Sequence, residues 1–277
     1  MKIGILGVGN MGFAIASALA STENTAISAI QILAHTAEDT QKKALSLSCS
    51  TMRVTPSQSI KEMKETSDVI ILAVKPQILP SLYAELATES LSHPLFISIA
   101  AGIPLETLSK KLHTTRVVRL MPNIAAKAKK SVTAVCTSAT LSKEDKDIAM
   151  DIAKTFGSAF PMSESLLPSF IGISGSGIAF VYQFVHAMAL GGCLEGISYP
   201  QSSDIVYATI ESALALAKEK DTHTPPITLE MKVCSAGGTT IEGIKTLKND
   251  GFDSAVINAV ANTAKKSRKL EKDALNK

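Results

Sequence analysis

Residues 2–12 read KIGILGVGNMG, and this stretch decides the fold. Its first half is a short apolar run of strand character, and a helical pattern opens near Asn10. Between them Gly7, Gly9 and Gly12 stand at the spacing G-x-G-x-x-G. Alone, that spacing is a weak signal; after a strand and at the opening of a helix it has a mechanism. Gly7 permits the tight turn, Gly9 lets a pyrophosphate approach the backbone, and Gly12 lets helix and strand pack closely. The N-terminus of the helix then faces the phosphates. Val8, Asn10 and Met11 share the turn and join the candidate cofactor residues. A glycine-bearing turn with no ligand is the plain alternative, and the strand–helix context favours the dinucleotide.

Outward from this turn, apolar runs alternate with helical patterns. ISAIQILA (27–34), VIILAV (69–74), LFISIA (95–100), RVVRLM (116–121) and SVTAVCT (131–137) read as strands. Near-continuous apolar strands separated by crossovers imply a parallel sheet covered on both faces. Right-handed crossovers make it doubly wound. From about Pro161 the strand signals stop, and helical runs follow at 176–194, 200–220, 226–233, 239–248 and 252–271. The expected fold is α/β, a Rossmann-like doubly wound sheet followed by an all-α C-terminal domain. The expected domains are 1–160 for dinucleotide binding and 161–277 for substrate binding and dimerisation, divided near FGSAFPMSES (156–165).

Composition narrows the class. The 277 residues are 45% hydrophobic and 19% charged, within the range of soluble globular proteins. A net charge of +3, four Tyr, eight Phe and no Trp argue against a nucleic-acid surface. Cys49, Cys136, Cys193 and Cys234 lie far apart with no CxxC, so neither a metal site nor a disulfide framework is expected, and reduced thiols suit the cytoplasm. The chain begins a strand pattern after one lysine, unlike a signal peptide. GIAFVYQFVHAMALGGCL (177–194), broken by Gln183, His186 and paired glycines, reads as a buried helix and not as a membrane span. The helical part carries more small and apolar surface than a thin domain can bury alone, so homodimerisation through it is expected.

Ligands of such sheets sit outside the carboxyl ends of the strands. The second strand should end near residue 34, where NAD enzymes often place a carboxylate for the ribose diol. Here stand Ala34, His35 and Thr36. Without a carboxylate a 2′-phosphate is not repelled, so NADP(H) is favoured, with NAD(H) as the second candidate. His35 and Thr36 could donate to that phosphate, with Lys42 or Lys43 in reach; His35 as a plain loop residue is the alternative. Other strand ends place Ala73, Val74, Lys75 and Pro76, then Ala100, Ala101 and Gly102, in the same crevice, and small residues leave room for a flat nicotinamide. Asn123 ends a further strand, and Gln58 completes the cofactor candidates. Lys75 as a proton donor would need a lowered pKa, which makes a backbone or solvated role the simpler reading.

Two small-residue stretches punctuate the helical part. SAGGTT (235–240) precedes an amphipathic run, as a helix cap or as an anion site built from exposed N–H groups. SGSG (174–177) opens another helix; Ser174 and Ser176 either cap it or face a substrate. His186 reads as a helix histidine, Cys234 as a small buried hydrophobe, and the charged C-terminal run as a solvated, fraying helix face.

In order and spacing, GVGNMG, DVIILAVKPQ, SIAAGI, RLMPN, SGSG and SAGGTTIEGIKTL resemble the Δ1-pyrroline-5-carboxylate reductase family over nearly the whole chain. The last motif is the most specific of them. The resemblance implies an NAD(P)H-dependent enzyme that makes L-proline from Δ1-pyrroline-5-carboxylate, with helical domains interlocked in a homodimer and dimers often assembled further. It implies that Thr240 meets the ring nitrogen as the catalytic residue. Around it Ser235, Gly237, Gly238 and Thr239, with Ser174 and Ser176, hold the substrate. The chain departs from the family at Ala236 and Ile178, where proline is usual, and at His186, where an acid is common. It departs also at Ile124–Ala125 in place of Thr-Pro, at Ser131 in place of glycine, and at His35 in place of arginine. Two rivals stay open. One is a reductase of another imine or of a β-hydroxyacid, for which Lys232 and Lys245 are the nearby lysines. The other is a non-enzymatic cofactor-binding regulator.

Overall fold

β-Branched and leucine-rich segments build one sheet: β1 (Lys2–Leu6), β2 (Ala29–Leu33), β3 (Val54–Pro56), β4 (Val69–Leu72), β5 (Leu95–Ser98), β6 (Val117–Met121), β7 (Ser131–Thr137) and β8 (Gly157–Pro161). Their order across the sheet is β3-β2-β1-β4-β5-β6-β7-β8. The computed structural model describes residues 1–22, 24–48, 52–87, 94–220 and 224–275. One compact unit comprises Met1–Gly175 with Thr263–Lys277, the other Ser176–Asn262.

Strands β1 to β6 are mutually parallel, as the apolar runs imply. The all-parallel expectation fails at β7, which runs antiparallel to β6 in the register Val118↔Thr137 to Met121↔Ala134. The link over 122–130 holds only a tight turn, Ile124–Ala128, and is too short for the dozen or so residues of a parallel crossover. β8 then returns parallel to β7 after a full helical crossover. β3 and β8 escape the apolar pattern because both are edge strands, half-exposed and ending in proline.

Alternation along the strands feeds two cores. Val69 and Ile71 of β4 face the layer of α1 (Asn10–Ala20), α2 (Ala37–Leu47) and the later crossover helix at Lys143–Lys154. Ile70 and Leu72 face α3 (Ile60–Thr66), α4 (Leu79–Leu86) and α5 (Leu105–Leu112). The crossover helix Lys143–Lys154 is α6. The sheet is thus doubly wound. Thr36, Ser59 and Ser142 start α2, α3 and α6 by accepting from the N–H of Asp39, Glu62 and Asp145.

After β8 come α7 (Leu167–Phe170) and a widened, π-type turn, Ile171–Gly175. The second unit holds α8 (Gly177–Leu194), α9 (Tyr199–Lys220), α10 (Pro226–Val233), α11 (Thr239–Asn249) and the start of α12 (Phe252–Leu275). Helices α8 and α9 cross closely, since a Cβ on Gly192 would stand 1.9 Å from Ser202 Oγ. The expectation that α8 is a buried helix is not met within the chain: only Val185 and Ala189 are buried, while Leu194 is 88% exposed. Tyr182, Met188 and Leu190 are open as well. Among the described residues, 164–194 is the one helical stretch long and apolar enough to cross a membrane by length and composition. Cys234 is half-buried and not buried; Cys136 is fully buried, and desolvation raises its thiol pKa to about 12.

The C-terminal run is more than a solvated face. Arg119 of β6, 1% exposed, pairs with Glu164 at 2.8 Å and with Glu271 of α12 at 3.1 Å. The Glu164 carboxylate also accepts from the N–H of Leu105 at 2.9 Å. One buried guanidinium therefore ties the last helix to the sheet. Arg119→Met strands two carboxylates beside an apolar side chain and should lower the unfolding free energy by about 3 kcal/mol, the scale of a broken buried pair. Urea denaturation reads this, and a loss below about 1 kcal/mol would show that water replaces the guanidinium freely.

Candidate active site

The glycine turn explains itself by space. Gly7 has φ +93°, and a Cβ there would press 2.6 Å from the backbone nitrogen of Val74. A Cβ on Gly12 would stand 2.0 Å from the Gly7 carbonyl oxygen. At Gly9 a Cβ would meet nothing within 4 Å. Gly12 is therefore glycine because protein crowds it, whereas the space over Gly9 is open to a ligand. Gly9 caps α1 without any side-chain hydrogen bond, so the N–H groups of the first turn project bare into that space. The positive end of the helix dipole adds to the attraction for an anion. These features fit a pyrophosphate.

The strand ends gather the remaining cofactor candidates. Gly7 N–H donates to the Leu33 carbonyl and Ala73 N–H to the Leu6 carbonyl, both at 2.8 Å, so the ends of β1, β2 and β4 are laced together. His35 is exposed, and the Thr36 hydroxyl accepts from Asp39 N–H at 3.1 Å, which leaves its own hydrogen to give. Gln58 follows β3, its backbone N–H held by Glu62 at 2.6 Å and its side chain exposed. Lys75 is exposed after β4, and its carbonyl accepts from Ile78 N–H at 2.9 Å. Gly102 turns the chain after β5 with φ +78°. A cavity of about 430 Å³ flanks the start of α1, bordered by Gly9, Asn10 and Ser17 and by two cations, Lys43 and Lys127. Lys43 is held by Asp39 at 2.7 Å. Lys127 was not singled out from sequence; its only signal is the basic run KAKK after Asn123.

Asn123 and Ser174 are bonded to each other within the fold. The Asn123 amide donates to Ser174 Oγ at 3.1 Å and accepts from Ala125 N–H at 3.2 Å. That second bond exists because residue 125 is alanine; the proline usual in the family has no N–H to give. Among the described residues no cluster of His, Cys, Asp and Glu could hold a metal ion.

In the helical unit, Gly237 takes φ +67° and Gly238 caps α11 in an extended conformation with no side-chain cap. Gly238 N–H closes a turn onto the Ser235 carbonyl at 3.1 Å. Thr239 and Thr240 thus begin a helix whose first amides are bare, which agrees with both the cap and the anion readings and adds donors for the second. Ser235 and Thr239 are exposed, and Thr240 is half-buried. His186 accepts from or donates to Tyr199 Oη at 2.9 Å through Nδ1.

Comparison with known proteins matches these parts. Residues 2–102 match the family described as NADP oxidoreductase, coenzyme F420-dependent. Residues 164–270 match pyrroline-5-carboxylate reductase dimerisation. The chain is 36% identical, over 277 residues and 98% of both chains, to pyrroline-5-carboxylate reductase of Methanosarcina acetivorans. Among solved structures, 1-pyrroline-5-carboxylate reductase of Streptococcus pyogenes superposes with a TM-score of 0.82 at 30% identity, covering 97% of this chain and 98% of that one. The Plasmodium falciparum pyrroline carboxylate reductase, solved with NADP bound, gives 0.80 at 26% identity and covers 98% of each. Sheet, glycine turn and helical region define an NADP-binding oxidoreductase of the Rossmann type. Within that class, the chain belongs to the pyrroline-5-carboxylate reductase family.

The two crowding patterns separate by mutation. Gly9→Ala should leave the melting temperature within about 2 °C, since its Cβ meets only open space, yet weaken NADPH by about tenfold or more. Gly12→Ala should lower the melting temperature as well, because its Cβ collides with the backbone. Calorimetry and fluorescence titration read both; undiminished NADPH affinity in Gly9→Ala would remove the pyrophosphate from this turn.

Proposed function

We propose that this chain reduces Δ1-pyrroline-5-carboxylate to L-proline with NADPH, and that it works as a homodimer. The observation that carries the reading is the presence, on one chain, of two glycine-capped helix starts with no capping side chain: α1 behind Gly9 and α11 behind Gly238. One suits a pyrophosphate, the other a small carboxylate. Full-length likeness to pyrroline-5-carboxylate reductases supports the pairing.

The reaction adds a hydride to the ring carbon of C=N and leaves a proton on nitrogen. A reduced nicotinamide, when bound, supplies the hydride. Gly7 to Gly12 would hold the pyrophosphate; the small residues Ala73, Ala100 and Ala101 would leave room for the rings. Val74, Lys75, Pro76 and Gly102 would wall the crevice, and Gln58 would stand at its β3 edge. The amides of Thr239 and Thr240, with Ser235 Oγ, would take the substrate carboxylate, assisted by the dipole of α11. Gly237 and Gly238 would allow that approach. Ser176 would lie near the substrate at the start of α8. The Thr240 hydroxyl would hydrogen-bond the ring nitrogen. It need not be a strong acid, because an imine can arrive protonated and the amine keeps that proton; Thr240 then orients the ring and stabilises charge.

Dimerisation answers the bareness of α8. An exposed helix with Tyr182, Met188, Leu190 and Leu194 uncovered is a surface made for another surface. A second copy of the 164–270 region is the occupant that the family match supports. A cytoplasmic location and further assembly of dimers are part of this proposal, as is the division into a cofactor domain, 1–160, and a substrate and dimerisation domain, 161–277.

Purified protein should consume NADPH with Δ1-pyrroline-5-carboxylate and not with open-chain keto or hydroxy acids. Thr240→Ala should lower kcat/KM about ten- to a hundredfold, the loss of one positioning hydrogen bond of about 1.5–3 kcal/mol. An unaltered value would take Thr240 out of the site. Cofactor choice has its own test. His35→Asp places a carboxylate where the 2′-phosphate would lie, so kcat/KM for NADPH should fall at least about tenfold relative to NADH. If the ratio stays put, the phosphate binds elsewhere.

A further inference from the structure

Asn123 lies two residues past the carboxyl end of β6, capping the turn Ile124–Ala128, and Ser174 lies in the widened turn Ile171–Gly175. Both are buried, at 5% and 6% exposure. Asn123 Nδ2 donates to Ser174 Oγ at 3.1 Å, and that hydroxyl donates its single hydrogen to the Val132 carbonyl at 3.1 Å. Asn123 Oδ1 accepts from Ala125 N–H at 3.2 Å and from Val132 N–H at 3.4 Å. Ser131 Oγ accepts from Asn123 N–H at 3.1 Å and meets Thr133 Oγ1 at 3.0 Å. The single Ser174 hydroxyl hydrogen is committed to Val132, so Ser174 has none left to donate to a ligand.

The turn that Ser174 holds has reason to be loose. Gly172 and Gly175 lie in it, each with more backbone freedom to lose than any other residue. Widened π-type turns are uncommon and cluster at functional sites. Directly after this turn the chain leaves the first compact unit at Gly175 and begins the second at Ser176. The same side chain that fixes the turn is held by a residue just past a crevice strand.

We propose that Asn123 and Ser174 are a positioning pair for the reduction: a buried latch that ties the junction leading into α8 to the carboxyl end of β6. The pair touches neither substrate nor cofactor. It rests on the proposed reductase reading and deepens it, by assigning two of the residues expected to bind ligands to the placement of those that do. Misplacement of a reacting group by about 1 Å can cost about a hundredfold in rate.

The test is a double-mutant cycle on the purified full chain with Ser174→Ala, Asn123→Asp and both together; Asn123→Asp keeps the acceptor and removes the amide donor. Wild-type activity is measured first. Each single variant should lower kcat/KM for Δ1-pyrroline-5-carboxylate about tenfold or more, with NADPH Kd within about threefold of wild type. The double variant should be little worse than the poorer single one, because both cut the same bond. Additive losses would overturn the latch, and so would a tenfold weaker NADPH Kd in Asn123→Asp, which would make the amide a cofactor ligand. Unchanged kinetics in Ser174→Ala would overturn it too. If Ser174→Ala fails to fold, Ser174→Cys keeps the volume, weakens the bond and reads the same coupling. Should wild type itself be inactive, the reductase reading falls alone. Amide hydrogen exchange over residues 171–177 then decides: faster exchange in both variants upholds the latch, and unaltered exchange ends it.

Discussion

A side chain at position 12 would collide with the Gly7 carbonyl at 2.0 Å, and the rest of the molecule depends on that crowding. It forces α1 to begin directly against the end of β1. The cap position, Gly9, carries no side chain, so the first N–H groups of the helix have no capping partner. The lacing of β1, β2 and β4 at this end aligns the other strand ends around the same open space. One steric constraint thus makes the packing contact and the binding surface together. Gly9 is the complement: nothing in the protein crowds it, and the space above it is open.

The fold was legible where burial on both faces writes an uninterrupted apolar run. Ile70, Ile71 and Leu72 announce a central strand because each neighbour in turn faces a different core. It was illegible at β3 and β8, where edge position removes the need for apolar residues, and at the direction of β7, which the shortness of the 122–130 link dictates. The five C-terminal helices were legible from caps and prolines within a few residues. The environment of α8 was not, because composition cannot say whether an apolar face is covered by its own chain or by another. The buried guanidinium of Arg119 was hidden too: a single arginine in an apolar strand carries no sign of the two distant carboxylates that meet it.

The site divides in the same way. The glycine turn and the diglycine–dithreonine stretch are local devices, so spacing together with the adjoining strand and helix patterns makes them candidates. Asn123 and Ser174 are read as ligand groups from sequence because both sit at positions suited to ligands. Their bond, across 51 positions of chain, exists only after β6 and the turn before α8 have come together. Polar residues near a crevice divide between those that face a ligand and those that hold the walls, and the proposal places Asn123 and Ser174 among the second because the Ser174 hydroxyl already gives its hydrogen to Val132. The departures from the family pattern follow this line. Ala125 supplies an N–H that proline would lack, and Ser131 supplies a hydroxyl that glycine would lack; both are spent on Asn123. These changes enlarge the supporting network, while the bare amides at α1 and α11 are left as they are.

Two ties bind elements distant in sequence to β6, and both use it as the anchor. Arg119 draws in Glu164 and the end of α12; Asn123, four residues on, draws in the turn that leads to α8. Both ties lie within the first compact unit, one in the turn before the chain passes out of it after Gly175 and one on the helix by which it returns from Thr263. β6 has the geometry for this task. It is the last of the parallel strands, so its carboxyl end lies on the crevice, and its antiparallel partner β7 offers Val132 and Ser131 beside that end. Flanked by β5 and β7, it is interior enough to keep a guanidinium and an amide dry, which an edge strand would not. The switch of direction at β7, which no sequence pattern announced, is what places a buried donor–acceptor network at the point where the chain must pass from cofactor sheet to helical unit.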